Sequence, residues 1–167
     1  DAMAFNDRGA VLLGLVEYDR ALADLDRAIQ LDPNLAMAFA NRCGTHWSKG
    51  AYDRAIEDCN QALRLDPKQV IALVNRGNAY SHKRQYDKAI EDYTQAIRLD
   101  PTVALAFMGR GVAYFDLGQH DRAIADFNET IRLNPREHRA FLNRCISHQA
   151  TGSAERAMPD CDHAIRL

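Results

Sequence analysis

The sequence has no apolar run approaching the ~20 residues that a helix needs to cross a bilayer. It also has no excess of charge of one sign, since 21 lysines and arginines balance 23 aspartates and glutamates. Such a balance gives no excess of positive charge with which to bind nucleic acid or an anionic membrane. We therefore expect no nucleic-acid binding and no membrane insertion, and a soluble chain of either the cytoplasm or the periplasm.

Motifs for catalysis and cofactor binding are absent as well. There is no nucleophile elbow, P-loop, glycine-rich dinucleotide loop or HExxH pair. The four cysteines include no CxxC spacing. We predict that the chain is not an enzyme and that it holds no cofactor and no metal.

What the sequence does contain is a strict internal period of 34 residues. Two of its columns are the prolines Pro33, Pro67, Pro101 and Pro135, and the alanines Ala21, Ala55, Ala89, Ala123 and Ala157. Several columns at one period indicate a repeat architecture. Five copies begin near Ala2, Ala36, Val70, Ala104 and His138. The last copy is truncated at Leu167 and the chain begins with Asp1, so we expect a piece of a longer protein.

Each copy contains two helical patterns. In the third copy, apolar and small residues recur at helical spacing from Leu73 to Tyr80, and again from Tyr86 to Ile97, after a short turn. Pro101 then ends the second helix, because proline disfavours a helical conformation in the residue before it. The pattern predicts ten helices of roughly 12–15 residues and no strands.

These columns resemble the tetratricopeptide repeat. Its pattern is a bulky residue, a small one, an aromatic one, then Ala-x3-aromatic and a terminal proline, which are Phe107, Gly111, Tyr114, Ala123, Phe127 and Pro135 in the fourth copy. The resemblance covers essentially the whole chain. It implies an all-α fold, a right-handed α-solenoid superhelix of antiparallel helix pairs, as a single domain over residues 1–167. The first helix of each pair would line a concave groove.

One charged column runs through all five copies. It pairs Arg8, Arg42, Arg76, Arg110 and Arg144 on the first helices with Asp24, Asp58, Asp92, Asp126 and Asp160 on the second helices. Arginine packs its stem on apolar surface while its planar fork binds a carboxylate. We predict that each arginine reaches a second-helix aspartate of its own or the preceding repeat. The alternative is that this column binds a ligand.

The four cysteines form two pairs with one spacing of 16 residues, Cys43 with Cys59 and Cys145 with Cys161. The other copies have a small and a large residue at these positions, such as Gly111 and Phe127, so we expect the two positions to touch. Two interpretations stay open, a disulfide or buried free thiols. With His46 or His148 each pair would also supply three zinc ligands, but no fourth ligand is evident.

The exposed side of the first helices is more apolar than a solvated face, which favours an interaction surface. The predicted groove residues are Met37, Asn41, Trp47, Ile71, Val74, Asn75, Asn78, Met108, Val112 and Phe115. The alternative is that some of these residues contact the neighbouring repeat and form its inner wall.

One branch of the family binds carboxylate termini through a Lys, Asn, Asn, Lys, Arg clamp. The matching positions here are Asn6, Ala10, Asn41, Ile71 and Asn75, and only Asn41 fits. We therefore predict a protein–protein interaction module whose groove binds an apolar peptide or a helix of a partner. The alternative is a scaffold that forms a homo-oligomer through uncapped terminal repeats, since the fifth copy has no polar capping helix after it.

Overall fold

The computed structural model describes residues 1–166, which contain ten α-helices and no strand. The helices are α1 Ala2–Gly14, α2 Tyr18–Leu31, α3 Ala36–Ser48, α4 Tyr52–Leu65, α5 Val70–His82, α6 Tyr86–Leu99, α7 Ala104–Asp116, α8 His120–Leu133, α9 His138–Ala150 and α10 Ala154–Arg166. The predicted all-helical architecture of five helix pairs is confirmed. Within residues 1–166 no helix is both long enough and apolar enough to cross a membrane.

The second helices end where the sequence predicts. Each of the first four stops at an aspartate or asparagine before proline, namely Asp32, Asp66, Asp100 and Asn134. The side chain of this residue accepts a hydrogen bond from the backbone N–H two residues later, as in Asp100 Oδ1 with Thr102 N at 2.9 Å. This side-chain hydrogen bond forms a turn in place of another turn of helix, so the chain leaves the second helix and turns towards the next first helix.

The helices group into two compact units. Unit 1 covers residues 1–84 and contains α1 to α5, and unit 2 begins at residue 85 and contains α6 to α10. In unit 1, α3 contacts its own second helix α4 and also both helices of the preceding pair, α1 and α2. In unit 2, α9 likewise contacts α10, α7 and α8. Each of these first helices is therefore packed between helices of two repeats.

Small residues make this packing possible. On the first helices α3, α5, α7 and α9, two positions have no solvent exposure and hold only small side chains, which are Ala38, Thr45, Ala72, Ala79, Ala106, Ala113, Ala140 and Ser147. Across the first and fourth helix pairs, a glycine accommodates a large partner, Leu25 opposite Gly9 and Phe127 opposite Gly111. A Cβ added to Gly111 would lie 2.7 Å from a ring carbon of Phe127. The predicted contact between the small and large positions is confirmed.

The arginine column is a structural ladder. Arg8, Arg42, Arg110 and Arg144 each donate two hydrogen bonds, from Nε and Nη2, to both carboxylate oxygens of the aspartate 16 residues later, at 2.5–2.9 Å. The prediction is thus confirmed for these four. The bidentate bonds to Arg8 also hold the pKa of Asp24 below its ordinary value.

From the second repeat on, the arginines of this column also reach back to the preceding repeat. Their Nη1 atoms donate to one position of the preceding second helix, as in Arg42 to Asp26 and Arg76 to Asn60 at 2.7 Å, Arg110 to Thr94 at 3.1 Å and Arg144 to Asn128 at 2.7 Å. One guanidinium therefore ties a first helix to the second helices of two successive repeats.

Breaking one rung of this ladder is expected to destabilise the fold. Asp126→Ala leaves the half-buried guanidinium of Arg110 without its carboxylate, which costs about 2–4 kcal/mol of unfolding free energy. Glu129→Ala is the matched control, because it removes only an exposed pair with Arg132 on the same helix and costs less than about 1 kcal/mol. Urea denaturation followed by circular dichroism measures both, and equal losses would contradict a structural ladder.

Candidate functional site

The exposed sides of α1, α3 and α5 form one surface, which we call the first-helix face of unit 1. One position near the start of each of these helices carries a large apolar side chain. These are Met3, Met37 and Ile71, which are 48%, 39% and 51% exposed. They are spaced 34 residues apart, so they form a row across the first helices of three successive repeats. Large apolar groups in a row on open surface mark a place where another molecule can bind.

The ten predicted groove residues do not all reach the surface. Met37 and Ile71 are exposed, and six others are half-buried, namely Asn41, Trp47, Asn75, Asn78, Val112 and Phe115. Val74 and Met108 are only 6% and 8% exposed, which corrects the expectation that they project from an open face. They share one position on α5 and α7, and Met108 is covered there by a cluster that includes Ala140 of the next first helix.

Two of the predicted asparagines belong to the wall between repeats. Asn41 Nδ2 donates to Asn6 Oδ1 at 2.9 Å, which joins α3 to α1. Asn75 Nδ2 lies 3.4 Å from the backbone oxygen of Ala40 and joins α5 to α3. The amide groups of Asn41 and Asn75 therefore join neighbouring repeats, as the alternative interpretation of an inner wall expects, and are not free to bind a ligand.

An aromatic cluster borders the same face near the ends of α3 and α5. The Trp47 ring lies 5.8 Å from the His82 ring, and the Tyr52 ring stacks on His82 at 4.8 Å. The indole N–H of Trp47 is buried and has no hydrogen-bond partner among the described residues. Sequence reasoning missed Tyr52, because it stands on a second helix and only first helices were expected to build the face.

Unit 2 presents a smaller version of this surface on α7. Leu105 occupies the position of Met37 and Ile71 and is 68% exposed. Phe115, half-buried, packs edge-on against His120 with ring centroids 5.4 Å apart. The surface of α7 therefore combines one largely exposed aliphatic side chain, Leu105, with a partly covered aromatic one, Phe115.

A polar depression lies between α2, α3 and α4 and is lined by Leu22, Asp26, Arg42, His46, Arg54, Glu57 and Asp58. Its carboxylate Asp58 is already held by Arg42, and His46 Nε2 lies 3.7 Å from it. Burial lowers the pKa of His46, which favours the neutral form of the ring. In residues 1–166 no three histidine, cysteine or acidic side chains are grouped to hold a metal ion.

The two cysteine pairs meet across their helix pairs. Cys43 on α3 lies against Cys59 on α4, and Cys145 on α9 against Cys161 on α10, in disulfide pairing with Cα–Cα distances of 5.4 and 5.5 Å. These distances are in the range that a disulfide requires. Since the two sulfurs of each pair face one another, they do not point with His46 or His148 towards a common ligand.

Comparison with known proteins identifies the family. Models of the tetratricopeptide repeat match residues 70–103 and 104–137, and a TPR repeat model matches residues 45–83. The chain belongs to the tetratricopeptide-repeat family. A search of the curated proteins found no match.

Solved structures share the fold over nearly the whole chain. A crystal structure of MamA is 24% identical, with a TM-score of 0.83 over 95% of this chain and 92% of the other. A MamA double mutant is 19% identical, with a TM-score of 0.85 over 99% of this chain and 93% of the other. YrrB, described as a TPR protein with an unusual peptide-binding site, is 24% identical, with a TM-score of 0.77 over 99% and 86%. The fold is that of TPR helix pairs packed consecutively.

We predict that both cysteine pairs are oxidised in the native protein. A disulfide that closes a loop of this length stabilises a fold by about 3 kcal/mol, so a reductant should lower the thermal midpoint. Intact mass would fall by two hydrogens for each bond. The control is the double variant Cys43→Gly with Cys59→Leu, which copies the pair Gly9 and Leu25 of the first repeat and removes one of the two reducible bonds.

The reductant should shift this double variant less than the unmodified chain. If dithiothreitol leaves the thermal midpoint of the unmodified chain unchanged, and its mass matches four free thiols, the prediction is wrong.

Proposed function

We propose that the chain is a protein-interaction module that binds an apolar segment of a partner protein on its first-helix faces. The observation that carries this proposal is the row of exposed large apolar side chains Met3, Met37 and Ile71 in unit 1. Leu105 offers a corresponding contact in unit 2. Contact of these side chains with water is unfavourable. A bound segment that covers them would gain about 25 cal/mol of free energy for each Å² of apolar surface buried.

The spacing of the row limits the size of the bound segment. Packed helices lie about 8–10 Å apart, so three successive first helices span roughly 20 Å. An extended peptide covers this length with about six residues and an α-helix with about 13. A short segment of a partner is therefore sufficient to contact all three side chains of unit 1.

The chemistry of the face favours a neutral, apolar segment. None of the five positions that would form a carboxylate clamp holds a lysine or an arginine. The one matching side chain, Asn41, already donates its amide to Asn6. A C-terminal carboxylate would therefore find no cation at these positions to offset its loss of water. Peptide binding by YrrB, a protein of the same fold, supports the general mode of action without naming a ligand.

Phage display of random peptides on the immobilised chain provides a ligand for the test. Because Trp47 is the one tryptophan of the chain and borders the face, binding should change its fluorescence and give a titration without a label. We expect Ile71→Asp to weaken the selected peptide by about tenfold or more, since an unpaired charge would be buried under it. Leu31→Asp is the matched control, with a similarly exposed leucine on the second helix α2.

Circular dichroism establishes that both variants fold. Peptide affinity that is lost in Leu31→Asp and kept in Ile71→Asp would contradict the proposed face. Equal affinity for both variants and the unmodified chain would contradict it as well.

A further inference from the structure

Gln69 carries a buried amide group beside the apolar row of unit 1. It is the residue immediately before α5, two positions before Ile71 of the row, and it is only 8% exposed. Its Nε2 atom donates to the sulfur of Met37, another member of the row, at 3.5 Å. The amide of Gln69 therefore lies directly against a side chain on which we propose that a partner segment binds.

The hydrogen bonding of this amide is incomplete. Its Oε1 atom is buried and accepts no hydrogen bond from the residues that the structure describes. The hydrogen bond of Nε2 goes to the thioether sulfur of Met37, which is a weak acceptor. A buried polar atom without a partner is unfavourable in free energy, so binding of a molecule that supplies the missing donor is favoured.

The fold does not require an amide at this position. The equivalent residues before other first helices are Leu35, Val103 and Glu137, and none of them is fully buried. Leu35 and Val103 are apolar, and Glu137 accepts a hydrogen bond from the backbone N–H of Arg139 in its own helix. Gln69 makes no such cap on α5. Neither packing nor helix capping therefore accounts for the amide of Gln69.

Two other amide groups of the same face are already used within the chain. Asn41 donates to Asn6, and Asn75 lies against the backbone oxygen of Ala40. Gln69 differs from them because its oxygen has no partner among residues 1–166. Of these three amides, Gln69 is the one with unused capacity for a bound molecule.

The side chain of Met37 can open an approach to this amide. Met37 is 39% exposed, and methionine is unbranched with three rotatable bonds, so it adapts to new surroundings at small cost. A change of its rotamer gives up only the weak contact between its sulfur and Nε2 of Gln69.

An apolar segment has one kind of polar group to offer such an amide, which is its own backbone. Each peptide unit of an extended segment carries an N–H and a C=O that lose water when the segment binds. In an α-helix the same groups are bonded to one another, except at the ends. A carboxamide has both an acceptor oxygen and N–H donors, so it can pair with both backbone groups of an extended segment.

We propose that Gln69 binds the backbone of the partner segment and that this segment is extended. Its Oε1 would accept a hydrogen bond from one backbone N–H of the segment, and its Nε2 would donate to a backbone C=O in place of the Met37 sulfur. The inference rests on the proposed function, because it concerns the same bound segment. It goes further by selecting an extended conformation over a helix and by fixing which peptide unit lies beside Met37.

Backbone ester analogues of the peptide selected on the immobilised chain test this hydrogen bond. In each analogue an ester oxygen replaces one peptide N–H and so removes a single donor. With the unmodified chain, we expect the ester at one position to weaken binding by about fivefold or more. Gln69→Leu, which copies Leu35, should weaken the parent peptide to a similar degree, and the ester at that position should then cause no further loss.

Gln30→Leu is the matched control, since Gln30 is exposed on the second helix α2 and not on the first-helix face. This variant should bind the parent peptide and every ester as the unmodified chain does. Circular dichroism establishes that both variants fold.

Three results would overturn the inference. The first is parent-peptide affinity that is unchanged or tighter in Gln69→Leu. The second is a set of ester effects that is the same in Gln69→Leu and in the unmodified chain, as a bound helix would give. The third is a loss in Gln69→Leu that is reproduced by replacing a side chain of the peptide and by no ester, which would assign the bond to a side-chain donor.

The proposed function fails by a different result. If Ile71→Asp weakens the selected peptide and Gln69→Leu does not, the first-helix face is retained and only the role of Gln69 is wrong. If Ile71→Asp leaves the affinity unchanged, the face itself is wrong, whatever Gln69→Leu does.

Discussion

The packing of a first helix between helices of its own repeat and of the preceding one is the constraint on which the structure depends. It buries α3 against α1, α2 and α4 in unit 1, and α9 against α7, α8 and α10 in unit 2. A single helix pair cannot bury its apolar surface alone, so each repeat needs a neighbour. The arginine ladder follows the same path, since Arg42 bonds to Asp58 of its own repeat and to Asp26 of the one before.

Because of this constraint, the two sides of each first helix have different roles. The sides turned towards neighbouring helices hold small or fully buried residues such as Ala38 and Thr45. The sides turned away are not constrained by packing, and there the chain carries Met37 and Ile71 instead of charged residues. Apolar side chains at positions where packing does not require them are the features of this chain that point to a partner.

Most of the fold could be predicted from the sequence because its period is strict. The positions of Gly111 and Phe127, and the breaks at residues such as Asp100, depend on local helix geometry and on pairwise contacts that every copy repeats.

The site was less predictable. A helical projection assigns Val74 and Met108 to an open side, but it does not show how closely the next first helix approaches, and that approach buries Met108. Tyr52 was missed for a similar reason, since its contact with His82 depends on the meeting of two repeats.

The central claim is that an apolar partner segment binds across the row formed by Met3, Met37 and Ile71. Its most direct test is a methyl NMR titration of the chain, labelled at methionine and isoleucine methyl groups, with a peptide selected on it. The account predicts that the signals of Met3, Met37 and Ile71 move as peptide is added, while the signals of Met158 and Ile165 on α10 stay in place. Shifts at Met158 and Ile165, with Met37 and Ile71 unchanged, would contradict it.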